Sequence, residues 1–367
     1  MYNCMITYYN RTLQEKDIPK GYNDPYGIFE NANYEREVLL ENPYKKSDSD
    51  IFQVLAVKDS NFVGTEIHFP IELCIDGKIY TTLSGHGLSV EKECRGAGVG
   101  GKLTDGRLDF SPTKSLILGG ASQMHLSILR KMNAIIFEMP RMIYLRNAYS
   151  ILENKFGIII TKFLTPIVNF LLEFYFRKIN KDIYKLKAKF DLEEQCEGTE
   201  EIIDIITSDN HRFSERHNNT WFNWVLNNTL LKDERPIKTL YNIKYNNTTV
   251  GFFITETRFY KEASHRGFKN VRLGSIIEWG TCNQDCISDS EICALAISTF
   301  DKNVDAIEIC CIDDSMQKYF SKRNLKHVGD GNVCLRFRED SPLSQIKEIR
   351  EKKHWRLRPA MGDHSLS

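Results

Sequence analysis

The chain has 367 residues, 49 basic and 49 acidic side chains, and a hydrophobic share of 41%. That length suggests two domains, and that composition is ordinary for globular protein with a proper core. The balanced charge excludes a general electrostatic case for nucleic acid or an acidic membrane, leaving local basic patches such as 178–189. Ten cysteines without a CxxC pair predict free thiols in a reducing, cytoplasmic setting.

The first ten residues lack the basic start and apolar run of a signal peptide. Residues 33–40 read as a helix stopped by Glu41-Asn42-Pro43. Segments 51–57, 62–69 and 71–75 read as strands, and Asp76-Gly77 predicts a hairpin into a longer strand, 78–90. A glycine-rich turn then opens a helix. Residues 115–121 read as a buried strand, 123–132 as a helix, and 134–145 as a strand in which Pro140 demands an edge or a bulge.

Segment 156–176 approaches the length of a membrane span, but Lys162, Pro166, Asn169 and Glu173 interrupt it. A kinked, partly buried helix is expected and no integral span, with peripheral membrane contact through 156–176 as the alternative. Beyond it, 220–227 reads as a helix, and 239–244 with 249–259 as a hairpin across Asn246-Asn247. Strands 274–281 and 305–312 and a helix at 316–323 follow.

This order repeats that of the first half. Val63-Gly64 matches Val250-Gly251, Val90 matches Thr281, Ser115 matches Asp305, and Leu129 matches Tyr319, each pair roughly 190 residues apart. The expected organisation is therefore α/β, an α+β mixed sheet flanked by helices in each of two tandem domains. The boundaries fall at 1–147 and 196–340, with a helical connector at 148–195 and a solvated basic tail at 341–367.

The most informative stretch is 83–103, LSGHGLSVEKECRGAGVGGKL. A strand of small residues leads into Arg95, Gly96, Ala97, Gly98, Val99, Gly100, Gly101 and Lys102. Glycines let the backbone turn tightly and approach a ligand without a Cβ in the way. The amides that open the following helix face outward beside its positive pole, where a pyrophosphate can sit. A Walker loop would need Ser or Thr after Gly101-Lys102, where Leu103 stands. A dinucleotide fold would need a different glycine spacing directly after its first strand.

The segment resembles motif A of the GNAT acetyltransferase superfamily, Gln/Arg-x-x-Gly-x-Gly/Ala, met by Arg95, Gly98 and Gly100 behind Leu88 and Val90. The detailed resemblance covers about 51–137, and the second half resembles the fold only. It implies an acyl-CoA co-substrate, acetyl-CoA first. Loop amides would hold its pyrophosphate and the strand end at Leu88, Ser89 and Val90 its pantetheine arm, with Ser122 beyond. It also implies a reactive centre near mid-strand. Alternation places Ser84, His86, Leu88 and Val90 on one face. Arylalkylamine acetyltransferases of the superfamily carry a base histidine at a position similar to His86, so His86 is the candidate base or proton relay, with Ser84 in the same water chain. The competing reading is a histidine satisfied within a glycine-rich strand.

The chain departs from the family where a tyrosine acid is expected: Leu129 stands there. The acid is left among Ser122, His125, another tyrosine and water. Tyr319 holds the equivalent place in the second half, but 281–290 has no glycine and carries Asp285 and Asp289, which would repel a pyrophosphate. That half is expected to complete the acceptor pocket. Trp221 and Trp224 read as core. Glu278, Asp313 and Asp314 could receive a cationic amine, and His211, His217 and His265 lack metal-ligand spacing.

The expected activity is N-acylation of a primary amine, such as an amino sugar or small amine, with no metal and no nucleic-acid partner. A homo-oligomer fits the sequence as well as a monomer. The alternatives are a Fem-type aminoacyl or peptidoglycan transferase and a non-catalytic acyl-CoA-binding module.

Overall fold

In the computed structural model, which describes residues 6–232, 235–261, 270–362 and 366, the first half runs β1 (Thr7–Thr12), α1 (Ile28–Asn31), α2 (Asn33–Leu40), β2 (Ile51–Lys58), β3 (Asn61–Ile75), β4 (Lys78–Val90), α3 (Val99–Gly106), β5 (Ser115–Gly119), α4 (Gln123–Lys131) and β6 (Ile135–Leu145). Three helices connect the halves: α5 (Tyr149–Phe156), α6 (Ile158–Tyr175) and α7 (Arg177–Lys189). The second half runs β7 (Asp191–Gln195), α8 (Glu200–Thr207), β8 (Phe213–Glu215), α9 (Asn219–Asn227), β9 (Ile237–Tyr245), β10 (Thr248–Tyr260), β11 (Val271–Thr281), α10 (Asp289–Ala296), β12 (Ala306–Cys310), α11 (Asp314–Ser321) and β13 (Lys326–Phe337). His265 lies outside the described residues.

Three two-residue turns organise the strands. Asp59-Ser60, Asp76-Gly77 and Asn246-Asn247 all take positive φ and join β2 to β3, β3 to β4 and β9 to β10. Turns of this hand match the twist of the strands they join. The two short strands expected at 62–69 and 71–75 are one strand, β3. Its pairing with β2 ends at Ile67 and that with β8 begins at Leu73. Pro70 therefore falls where β3 has a single neighbour, opposite Leu83 of β4, and its missing N–H need not interrupt a second ladder. Pro140 of β6 sits beside the register shift between His327 and Asp330 of β13, the bulge its sequence demands.

The two halves do not keep separate sheets. All but one of the strands lie on a single path, β1-β2-β3-β4-β5-β13-β6-β12-β11-β10-β9-β7, with β8 beside β3. Each half's last strand crosses over: β13 pairs β5, and β6 pairs β12. The exchange leaves neither half a bare inner edge, which an isolated sheet would have to protect. One apolar cluster accordingly runs from Ile67, Phe69 and Ile117 to Trp221, Trp224, Phe252 and Trp355. Trp224 donates its indole N–H to the Val38 carbonyl at 3.1 Å, so both tryptophans are core.

Two expectations are corrected. The tail is not solvated: Trp355, Arg356, Leu357, Arg358, Ala360 and Met361 are all buried. The guanidiniums of Arg356 and Arg358 find carboxylates and carbonyls of the second half, as described below. Helix α6 forms where expected and continues through Pro166, but it is not partly buried. Thr161 is its one buried side chain, and most of its apolar residues stand in solvent.

Candidate functional site

Strands β4 and β5 are parallel neighbours only at Leu83–Leu116 and Ser84–Ile117; beyond those pairs they part. The opening is widened by a bulge. Thr65 pairs Ser89 but Ile67 pairs His86, so β4 carries one extra residue around Gly87, whose φ is +66°. A bulge changes which face the following side chains take. The even alternation expected for Ser84, His86, Leu88 and Val90 therefore fails. Leu88 and Val90 pack against Val99 and Leu103 on the α3 side, whereas Ser84 and His86 pair with Phe69 and Ile67, which belong to the core on the other side.

The parted strands form a cleft of 780 Å³, lined by 85–90 of β4, the glycine turn, 118–122 after β5 and one face of α4. At its mouth α3 begins at Gly98, whose φ is +76°. No side chain caps that helix end and no acidic residue stands in its first turn. Open space surrounds the site of a Cβ on Gly98 and on Gly96. Arg95 is fixed by its Nε, which donates to the Val90 carbonyl at 2.8 Å. Uncapped amides, the positive helix pole and the Arg95 and Lys131 cations on the same cleft make a site for a doubly charged anion.

Of the residues predicted to hold the cofactor, Leu88, Ser89, Val90, Arg95, Gly96, Gly98, Val99, Gly100, Gly101 and Ser122 all line the cleft. Ala97 is not among the lining residues. Lys102 faces a neighbouring depression that it shares with Arg336 and Arg338. Ser122 caps α4, accepting from the His125 N–H at 3.3 Å.

Behind the cleft wall lies a buried ion pair. Arg107 meets Glu66 at 2.6 Å with both side chains fully buried. Glu66 also accepts from the Thr104 hydroxyl at 3.1 Å and lies 3.8 Å from His125 Nε2. The guanidinium fills the space a side chain would take at Gly85: a Cβ there would stand 1.5 Å from Arg107 Nη1. Gly85 thus has a packing reason that the sequence did not reveal. His68 stacks on Phe110 nearby, and its burial, aided by Arg107, lowers its pKa to about 3.

His86 lines the cleft, half-buried. The carboxyl of Glu35, on α2, lies within electrostatic reach of it; burial raises that carboxyl above its ordinary range, against the opposing pull of its own backbone and of His86. Glu35 was missed from sequence, since nothing in NYEREVLL marks which position will face a strand fifty residues on. Ser84 is fully buried, and its hydroxyl has no hydrogen-bond partner among the described residues. Beside it runs the C-terminal segment: a Cβ on Gly362 would stand 3.1 Å from Ser84 Oγ and 3.0 Å from the Gly119 nitrogen.

Tyr319 is not brought to the cleft. It lies on α11 with Arg323 stacked 3.4 Å over its ring, and burial raises its pKa to about 12. Leu129, at the place of the family's tyrosine, is fully buried among Leu116, Leu118 and Leu126. Among the described residues no group of three or more His, Cys, Asp or Glu side chains is placed to hold a metal ion.

No protein-family model and no curated protein matches the sequence. Solved structures do. Saccharomyces cerevisiae N-myristoyltransferase with bound myristoyl-CoA is similar at 12% identity and a TM-score of 0.52, over 92% of this chain and 83% of that one. A second structure of the yeast enzyme with myristoyl-CoA is similar at 12% identity and a TM-score of 0.51, over 93% of this chain and 81% of that one. The likeness is one of fold, and within this chain the strand and helix order is laid down twice, as the repeat in the sequence predicts.

Proposed function

We propose that the chain is an acyl-CoA-dependent N-acyltransferase that binds one acyl-CoA in its first half, residues 1–147. The observation that carries this reading is the uncapped glycine start of α3 at the open end of the β4–β5 cleft. The amides after Gly98 hold the pyrophosphate, the Gly87–Val90 end of β4 holds the pantetheine arm, and Leu118, Met124 and Ile128 give the acyl side an apolar wall. The yeast neighbour's bound myristoyl-CoA widens the choice of acyl group beyond the acetyl expected from sequence.

Transfer joins the acceptor nitrogen to the thioester carbonyl carbon and breaks the C–S bond. His86 takes the amine's proton, with the Glu35 carboxyl within electrostatic reach of it. Ser84 belongs to the same proton route. The departing thiolate takes a proton from Ser122, His125 or water, since Leu129 has none to give. The acceptor is a primary amine of an amino sugar or small molecule. Residues 196–340 shape its pocket, and 148–195 joins the halves.

The test is calorimetric titration with acetyl-, octanoyl- and myristoyl-CoA, followed by turnover against a panel of amines. One mole bound per chain with turnover is expected. Binding without turnover on any amine would make the chain a binding module, which Leu129 favours. Failure to bind any acyl-CoA would leave the Fem-type reading in its place.

A further inference from the structure

Helix α6 presents a stripe that the other described residues leave bare. Ile159, Phe163, Ile167, Phe170 and Phe174 recur at helical spacing and are between 60% and 77% exposed. Ile160 and Leu171 widen the stripe. A bare apolar face of this length is rare on a protein surface without a partner. The opposite face is held firmly. Thr161 is buried, Leu172 packs on the core of the second half, and the Asn169 side chain binds the Ala148 N–H at 2.9 Å and Asn147 at 3.2 Å.

Cations rim this stripe at both ends. Lys155 lies over the Phe156 ring at 5.4 Å, Arg177 over Phe174 at 5.2 Å, and Lys326 over Tyr175 at 5.9 Å. Through Phe176 alone, α6 passes into α7, whose exposed positions include Lys178, Lys181, Lys185, Lys187 and Lys189. The one acid of α7, Asp182, is taken by Arg323 at 2.6 Å. On α6 itself, Lys162 and Glu173 are exposed and offset each other.

We infer that α6 and α7 dock this protein on the surface of an anionic phospholipid bilayer, α6 lying in the interface with its stripe among the acyl chains. Apolar side chains rimmed by lysines and arginines are what an interfacial helix requires, and basic residues at its ends meet the negative headgroups. A second copy fits less well, since a two-fold contact through the stripe would bring like charges together. A span would strip Thr161, Asn169 and Leu172 from the body. This inference is independent of the transferase reading, because the docking is measured without acyl-CoA.

The test is co-sedimentation of the full chain with phosphatidylcholine vesicles and with vesicles that also contain phosphatidylserine. Binding to the second kind only, weakened by salt, is expected. Phe163→Asp with Phe170→Asp should lower partitioning by about tenfold or more, and Lys178→Glu with Lys181→Glu by about fivefold per residue. An unchanged melting temperature shows that the variants fold. Four results each overturn the proposal: no binding to either vesicle, equal binding to both without a salt effect, resistance to alkaline extraction, or a dimer in solution that the Phe163/Phe170 variant dissociates.

Discussion

The two halves carry the same bulged hairpin, the same parted parallel strands and the same strand-to-helix step, yet they end in opposite electrostatic conditions. In the first half α3 starts at Gly98 with no cap. In the second, α10 is closed by a capping box: Ser288 accepts from the Glu291 N–H at 3.4 Å, and Glu291 accepts from the Ser288 N–H at 3.0 Å. The second cleft is also occupied by the chain itself. Strands β11 and β12 pair at Leu273, Gly274 and Ser275 and then part. Along the freed end of β11 runs the C-terminal segment: Ala360 donates to the Ile277 carbonyl at 2.8 Å, and Arg356 and Arg358 donate to the Trp279 carbonyl at 2.8 and 2.9 Å. Arg358 reaches Asp289, in the first turn of α10, at 3.7 Å. A fold that parts two strands creates a polar gap that must be filled. In the second half the C-terminal segment fills it, whereas in the first it stands open as the cleft beside Gly98.

The largest effect should come from the turn that differs most. Gly98→Asp places a carboxylate at an uncapped helix start and an L side chain at φ +76°. Loss of detectable acyl-CoA binding in calorimetry is expected, with the melt little changed. Unaltered affinity would break the contrast between the two clefts.

His86→Gln tests whether the first cleft does chemistry as well as binding. Turnover should fall by about 10²–10⁴-fold while acyl-CoA affinity stays within a factor of about two, since the Gly98 turn lies beyond the bulge. Near-full activity in the variant would reduce His86 to a wall of the pocket.

A third prediction concerns the clamp on the second cleft. His217 lies 3.5 Å from Glu215 and 3.2 Å from Glu278 and stacks on Trp221. Its burial works to lower its pKa, but the two carboxylates prevail and raise it above 6.5. Stability from that shift is full below about pH 6.5 and is lost as pH rises through the folded value. Glu278 runs the other way: burial would raise its pKa, but Arg356 and His217 hold it at about 2. Its contribution is full above its ordinary 4.5 and is lost as pH falls towards 2. The clamp is therefore strongest between about pH 4.5 and 6.5. Urea midpoints of the wild type should fall above that window, and His217→Gln should flatten the fall. Identical slopes in the two proteins would remove His217 from the clamp.

The smallest effect should follow Ser288→Ala, which opens the α10 capping box. It should cost about 1 kcal/mol in denaturant unfolding and leave acyl-CoA stoichiometry at one per chain. A second equivalent bound would mean that the cap, and not the C-terminal segment, is what closes the second cleft.

The local chemistry of this chain was legible in its sequence. Asp76-Gly77 and Asn246-Asn247 make the turns they predict, Pro140 marks its bulge, and the run from Arg95 to Gly101 opens a helix at a cleft. Each is a short-range effect of backbone freedom or of a missing N–H, so a window of a few residues contains its cause. The repeat was legible as well, because an equal offset survives in sequence. The tertiary structure alone decided the rest. Nothing local says that β6 and β13 will trade places, because strand pairing is a contest between edges distant in sequence. The bulge at Gly87 turns Leu88 and Val90 away from the His86 face. Arg107 makes Gly85 necessary from twenty-two residues away. The basic tail reads as solvated until Glu278 of β11, Asp289 of α10 and Asp209 of the loop after α8 converge on it. Buried charge is decided by partners, and partners are gathered only by the fold.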